Sequence, residues 1–358
     1  MNSTLFIVWV KQDTLLFLFS VLSFNHIIAL ASAHTFAPWL RQSPGGLGAW
    51  AGNVFAPNEA HAGTLVVYDD LAGDLVTCAP RSRRILVIGE PPGIKTYKQE
   101  FLDQFGLILS PYAFETQDVP LRITQTGLPW FYGLRFEAGG LTVEQSFEDL
   151  AKARPGPKDH KISVVCSTKS KLPRHRERLA FVMALKDRLK DRLVIRGRGF
   201  EPVIDKGEAI APHRYHLVLE NNDLGCFWTE KLADAFLGWS LPLYAGTKAA
   251  LDDFPEGSMI YLDLNDVPAC VAQVERILDE DPYESRLPAI AAAREKLMHE
   301  HNFFALISRE VERLAPAEPL EQPQVVHANK RASVVKGMRR SLRRSASKML
   351  RQLRAGFG

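Results

Sequence analysis

The stretch HLVLENNDLGCFWTEKLADAFLGWSLPLYAG (residues 216–246) decides how the chain is read. It opens on an apolar run, HLVLE, and leaves that run through a carboxylate and two amides, as a strand does when it exits a buried sheet. After a short loop, the run 229–238 predicts a helix, and LPLYAG predicts the next strand. Strand, helix and strand in one stretch make a βαβ unit, which demands a parallel sheet. One detail is out of place, because Lys231 falls in the first turn of the helix. Helix N-termini carry about half a positive charge, so an exposed cation there is disfavoured by roughly 0.3–1 kcal/mol. A bound anion would offset that repulsion, and doubly wound sheets bind ligands at this end of their strands.

The same alternation extends in both directions. KISVVCS (161–167) is a near-continuous apolar strand of the kind covered on both faces. A helix is expected from Pro173, with apolar residues at 179, 182, 183 and 189, followed by strand LVIR (193–196) and a short helical turn at 205–212. SMIYLDL (258–264) is a further strand, and helices are expected from Val267 to about Leu314. Upstream, strands are expected at 64–68, 84–88 and 107–109, with a helix over 95–105. The segment 141–160 opens as a helix and breaks at Pro155-Gly156-Pro157, a linker. The expected fold class is therefore α/β, with two Rossmann-like doubly wound domains, 36–155 and 156–314, facing a cleft. Residues 315–358 remain as a linker and basic tail.

Composition is that of a globular chain, 46% hydrophobic and 24% charged. Charge is unevenly placed: residues 330–358 hold ten Lys/Arg and no acid, so the rest carries 34 basic groups against all 41 acidic ones. Cys78, Cys166, Cys226 and Cys270 form no CxxC pair, which points to reduced thiols and away from a structural metal. At the other end, TLLFLFSVLSFNHIIALASA (14–33) is mostly apolar. Residues 1–35 thus read as a signal-anchor helix, as a cleaved signal with Ala31-Ser32-Ala33 at its end, or as the product of a mis-assigned start.

Cations crowd a second strand–helix junction. Lys169, Lys171, Arg174, Arg176 and Arg178 follow strand 161–167. The two lysines read as solvated charges; Arg178, like Lys231, stands where a diphosphate between two helix starts would meet it. No D-x-D motif stands at a strand end, since residues 263–266 read DLND. Gly197-Arg198-Gly199 lacks the third glycine of a dinucleotide fingerprint.

On these residues, the segment 161–264 resembles the α1,3-fucosyltransferases of glycosyltransferase family 10, bacterial type. That family's signature reads F-x-L-x-F-E-N, a short loop, then Y-x-T-E-K followed at fixed spacing by A and P-I-Y-x-G. This chain has YHLVLEN, the loop NDLGC, and FWTEKLADAFLGWSLPLYAG. The resemblance implies a GT-B fold, with 36–155 binding acceptor and 156–314 binding GDP-fucose. Arg178 and Lys231 would hold the diphosphate, and Asn221, Glu230 and Phe227 would contact the nucleotide-sugar. Phe227 stands where tyrosine is usual, so one hydroxyl contact is lost. The family's catalytic base is a glutamate just after an early strand, and RILVIGEPPG puts Glu90 there. TGLPWFYG (126–133) is similar to the loop that closes the family's acceptor domain.

The resemblance further implies an inverting transfer of fucose from GDP-fucose to a glycan hydroxyl, with Glu90 as base and no metal or other cofactor. A lipid-linked or surface polysaccharide precursor is the expected acceptor. Two alternatives stay open: transfer from another nucleotide-sugar, or a non-catalytic glycan-binding or membrane scaffold on the same fold. The run KRASVVKGMRRSLRRSASKMLRQLR (330–354) reads as a basic amphipathic helix suited to an anionic membrane surface, with a solvated tail as the other reading. Nucleic acid is not expected, because the body is acidic and no fold for it is recognisable. Since bacterial GDP-fucose is made in the cytosol, the expected place is the cytoplasmic side of the membrane, peripheral or anchored through the N-terminus.

Overall fold

The computed structural model describes residues 26–34, 37–137, 140–168, 173–315 and 322–329. The readings placed on residues 1–25, on Lys169 and Lys171, and on the basic run 330–354 lie outside the described residues. Two α/β domains face each other across a cleft, in the GT-B arrangement.

The first domain holds β1 (His26–Ser32), α1 (Ala37–Leu40), β2 (Ala49–Trp50), β3 (Asn53–Pro57), β4 (Thr64–Tyr68), β5 (Leu75–Thr77), β6 (Arg84–Val87), α2 (Gln99–Leu102), β7 (Leu107–Ser110) and β8 (Leu121–Ile123). Its seven-stranded sheet runs β2-β3-β1-β4-β6-β7-β8, parallel except for the β2 edge. A hairpin of β9 (Leu134–Glu137) and β10 (Gly140–Val143), then α3 (Phe147–Lys152), leads to the second domain. There β11 (Asp159–Val165), α4 (Pro173–Leu189), β12 (Leu193–Arg196), α5 (Lys206–Ile210), β13 (His213–Leu219), α6 (Glu230–Leu237), β14 (Leu241–Ala245), α7 (Ala250–Asp253) and β15 (Ile260–Tyr261) build a five-stranded parallel sheet. Its order is β12-β11-β13-β14-β15, a doubly wound sheet with its switch point between β11 and β13. Helices α8 (Val267–Glu280), α9 (Tyr283–His299) and α10 (Phe303–Glu312) follow, then β16 (Gln324–Val326).

The apolar N-terminal run turns out to supply part of the first core. β1 lies between β3 and β4, pairing His26 with Asn53 and Ile28 with Thr64. Alternation along it serves both faces of the sheet: Ile28 and Leu30 join Val66, Ile85 and Val87 on one side, while Ala29 and Ala31 join Leu65, Val67 and Leu86 on the other. The boundary drawn at residue 35 is therefore corrected to a position before His26. A membrane helix reaching Ala33, or cleavage after it, would each take β1 out of the sheet. Among the described residues, no helix is long and apolar enough to cross a membrane.

The boundary at residue 314 also moves. α10 returns to the first domain, where Phe303, Phe304, Leu306 and Ile307 pack on the face formed by Ile28, Leu30 and Val66. β16 then pairs antiparallel with β5 of that domain. Two local readings differ as well. The helix expected over 95–105 is only the single turn of α2, since residues 91–98 fold back as a loop. The segment expected to open as a helix at 141 is strand β10, and the helix begins at a Ser146 capping box.

A chain truncated to begin at residue 34 loses four fully buried side chains and both neighbours' ladder partners. We expect no cooperative thermal unfolding from it by circular dichroism, against a single transition for the full chain; a wild-type transition would show that β1 is dispensable.

Candidate active site in the interdomain cleft

The second domain's contribution begins where β13 ends. Glu220 is fully buried, with 0% exposure. Its Oε1 accepts the Thr229 N–H at 2.7 Å, and its Oε2 accepts the Thr229 hydroxyl at 2.7 Å. Lys231 Nζ lies 3.3 Å from the same carboxylate, 2.9 Å from Thr229 Oγ1 and 3.3 Å from Glu230 Oε1. Thr229 is also the N-cap of α6, its side chain accepting the Lys231 N–H. The cation in the first turn is thus held by a buried anion of the preceding strand. Burial works against the charged lysine, but Glu220 and Glu230 outweigh it and raise its pKa above the ordinary value. Burial likewise opposes charge on Glu230, yet Lys231 and Lys206 hold its carboxyl down at about 2.

Arg178 reaches the same hollow from the second turn of α4 and donates to Asn221 Oδ1. Its Nε is buried with no hydrogen-bond partner among the described residues. Burial lowers its pKa, though Glu220 and Glu230 pull the other way. Arg178, Asn221, Glu230 and Lys231 line one cavity of about 280 Å³, with Arg198 and His216. This cavity opens at the carboxyl ends of β11, β12 and β13, at the switch point of the sheet. His216 packs beneath it, its Nδ1 2.8 Å from Ser163 Oγ, and burial above all pushes its pKa down to about 3. It is a neutral floor residue and carries no cationic charge there.

Asn221, Glu230 and Lys231 also border a larger cavity of about 860 Å³ between the domains. Glu90 lies on the first-domain wall of that cavity. It follows β6 through Gly89, where a Cβ would come within 2.6 Å of the Tyr68 ring, so only glycine lets the loop leave the sheet here. Tyr112 donates its hydroxyl to the Glu90 carbonyl at 2.9 Å. The Glu90 carboxyl is pushed up, first by burial and then by the charge of Asp69, with His34 and Lys95 acting against this and Glu230 with it. Glu90 and Lys231 therefore face one space from opposite domains, and Arg178 lines the smaller hollow that Lys231 shares with it.

Phe227, expected against a nucleotide-sugar, forms part of the larger cavity's wall and is at the same time sunk in the first domain's core, its ring centroid 6.2 Å from that of Tyr112. It belongs to a loop that docks across the cleft. Cys226 N–H donates to the Pro111 carbonyl at 2.9 Å, and a Cβ on Gly225 (φ +48°) would meet that carbonyl oxygen at 2.1 Å. Trp228 is core, with its indole N–H on Asp253 at 2.7 Å. A second strap comes from Asp234 on α6, which is fully buried and accepts the N–H groups of Phe131 and Tyr132 at 2.8 Å each and Lys206 Nζ at 2.7 Å.

Of the residues singled out from the sequence, Glu90, Asn221, Glu230 and Lys231 line the interdomain cavity and Arg178 the adjoining hollow, while Glu220 and Thr229 were passed over. Both signals were present: an acid at the end of an apolar strand, and a Thr-Glu pair opening a helix. Asp69 and Asp234 left no such mark, because each works through groups distant in sequence.

No family model matches the chain, and no curated protein matches it. Among solved structures, it is similar to an α1,3-fucosyltransferase with GDP, at 15% identity over 81% of this chain and 91% of the other, TM-score 0.46. An α1,3-fucosyltransferase with GDP-fucose gives 14% identity, 82% and 92% coverage and a TM-score of 0.45. A UDP-forming α,α-trehalose-phosphate synthase from Burkholderia xenovorans gives 10% identity, 71% and 74% coverage and a TM-score of 0.40.

Glu220→Gln keeps the shape of the buried side chain and removes the charge that holds Lys231. We expect the unfolding free energy to fall by roughly 3 kcal/mol in a denaturant titration. Added pyrophosphate should raise the melting temperature of this variant more than that of the wild type, because an external anion then replaces the lost one. Equal stabilisation of both proteins would exclude Lys231 from the anion site.

Proposed function

We propose that the protein is an inverting glycosyltransferase that moves fucose from GDP-fucose to a hydroxyl of a glycan acceptor. The observation that carries this reading is one interdomain space with a cationic hollow on its second-domain wall and a proton-accepting carboxylate on the other. Arg178 and Lys231 border the hollow together, with Asn221 and Glu230 beside them.

In this reading the donor's diphosphate lies between Arg178 and Lys231. Arg178 spreads two N–H groups over phosphate oxygens, and Lys231 acts as a point charge. Asn221 and Glu230 contact the nucleotide-sugar, and Phe227 shapes the wall behind it. Glu90 takes the proton from an acceptor hydroxyl while that oxygen attacks the anomeric carbon from the face opposite the diphosphate. The C–O bond to the diphosphate breaks, GDP leaves with the bonding pair, and the proton ends on the Glu90 carboxyl. Fixed cations aimed at the leaving group lower the barrier, since they need no reorganisation as charge develops. A base works best with a pKa near the operating pH, and the raised pKa of Glu90 moves it in that direction. No metal is required in this scheme, because side-chain cations neutralise the leaving diphosphate. The basic run 330–354 is assigned to an anionic membrane surface on the side where the donor is made.

Calorimetry and donor assays on point variants test the assignment. Lys231→Ala should weaken GDP binding by at least tenfold, and unchanged affinity would sink the donor site. Glu90→Gln should keep GDP affinity but lower fucosyl transfer by about 10²–10⁴-fold. Transfer by the wild type should survive excess chelator, and kcat/KM should fall on acidification as Glu90 takes up a proton, with the midpoint above the ordinary carboxylate pKa of 4.5. Turnover with UDP-sugars but not GDP-fucose would replace the donor and keep the class.

A further inference from the structure

Asp69 follows β4 as Glu90 follows β6, and its side chain is 3% exposed. It lines the larger cavity, and its backbone is left-handed, φ +65°. For a residue other than glycine that conformation is strained by about 1 kcal/mol, and such strain persists where surrounding contacts impose it. Those contacts are specific. Asp69 Oδ1 accepts the Gly89 N–H at 3.3 Å and the Tyr97 hydroxyl, and Oδ2 accepts Lys95 Nζ at 2.8 Å. Gly89 is the residue before Glu90, while Lys95 and Tyr97 lie beyond the two prolines that follow it. One carboxylate thus ties both ends of the loop whose near end carries Glu90.

We propose that Asp69 is a positioning residue for the reaction: it clasps the Gly89–Tyr97 loop so that the Glu90 carboxylate stands in the cleft, and its charge, balanced by Lys95, sets how readily Glu90 takes a proton. This rests on the reading of Glu90 as base. The groups around Glu90 are few. Asp69 and Asp70 come from the end of β4, His34 from the end of β1, and Lys95 from the loop itself, with Lys95 Nζ also 3.0 Å from Asp70. Across the cleft stand Glu230 and Lys231 of α6, Arg174 and His175 of α4, and Asp223. Of these, Asp69 is the largest contributor of charge to the Glu90 shift, ahead of Glu230. Removing it removes an anion that opposes ionisation of Glu90, so Glu90 becomes the weaker base. Removing Lys95 takes away a cation that favours ionisation, so Glu90 becomes harder to deprotonate.

The two variants therefore differ in sign, which a merely structural role does not produce. In the full chain with GDP-fucose and acceptor, Asp69→Asn should move the acidic limb of kcat/KM to lower pH and reduce kcat by about tenfold. Lys95→Met should move that limb to higher pH. Both should keep the wild-type affinity for GDP. Limbs that coincide with wild type in both, or that shift in the same direction, would overturn the role of Asp69 while leaving Glu90 as base. Full transfer by Glu90→Gln would remove the base itself and this inference with it. Should Asp69→Asn fail to fold, the direction of the Lys95→Met shift decides.

Discussion

A carboxylate shut away from water organises the second-domain wall of the cleft. Glu220 ends β13 at the point where a parallel sheet must hand over to a helix, and a bare carboxylate there would be costly. It is satisfied by Thr229, through both the backbone N–H and the hydroxyl, and by Lys231. Those two residues open α6, so the pairing fixes where the helix begins and which way its first turn faces. The lysine that looks wrong for a helix start is right for this one. Its charge answers Glu220 from one side and is left 21% exposed toward the cavity on the other. Arg178, tied to Asn221 next to Glu220, is placed by the same strand end. Strand end, cap and cation cluster are one construction.

A cleft has value for chemistry only if its walls keep their distance, and the seam between the domains supplies that. The loop 222–228 reaches across to Pro111 and buries Phe227 in the first domain's core. Asp234 on α6 accepts two backbone N–H groups from the first domain's closing loop, with Lys206 as its counter-ion. α10 completes the first domain's hydrophobic face after the chain has already left that domain. Each strap leaves from α6, from the loop before it or from the end of the helical series, so the cationic hollow and the seam between the domains share their supports.

Much of the second domain was legible from the chain because its signals are local. Near-continuous apolar strands, a Pro at a helix start and the spacing between Glu220 and Gly246 sit within one βαβ repeat, and the strands 161–167, 193–196, 215–220 and 241–246 fall where the structure has them to within a few residues. The first domain was legible only in its three central strands. β1 was masked by its own composition, since a strand buried on both faces and a membrane segment are equally apolar and differ only in partners. The hairpin β9–β10 was missed because TVEQSFEDL carries a helix-like polarity that wins only after the Ser146 cap. α2 shrank to one turn because Lys95 and Tyr97 are drawn to Asp69 and cannot continue a helix. Phe227 was placed beside the ligand by resemblance alone. Its burial comes from Gly225 and Cys226 against Pro111, contacts between residues more than a hundred positions apart.

The same distinction bears on how base and cations are made to differ. Three glutamates beside the cleft are given separate characters by their local contacts. Glu220 is fully buried and bonded to Thr229 and Lys231. Glu230 is part-buried but sits between Lys231 and Lys206, which hold its pKa at about 2 and keep it charged. Glu90, half-buried and next to an anion, is pushed the opposite way. Glu230, beside Lys231 and Lys206, and Glu90, beside Asp69, thus shift in opposite directions across the interdomain space. A carboxylate among the cations stays ionised, as Glu230 does, whereas Glu90 has Asp69 beside it with Lys95 only in partial balance. Separation onto two domains keeps these environments apart, and the straps that hold the seam keep both on one cavity.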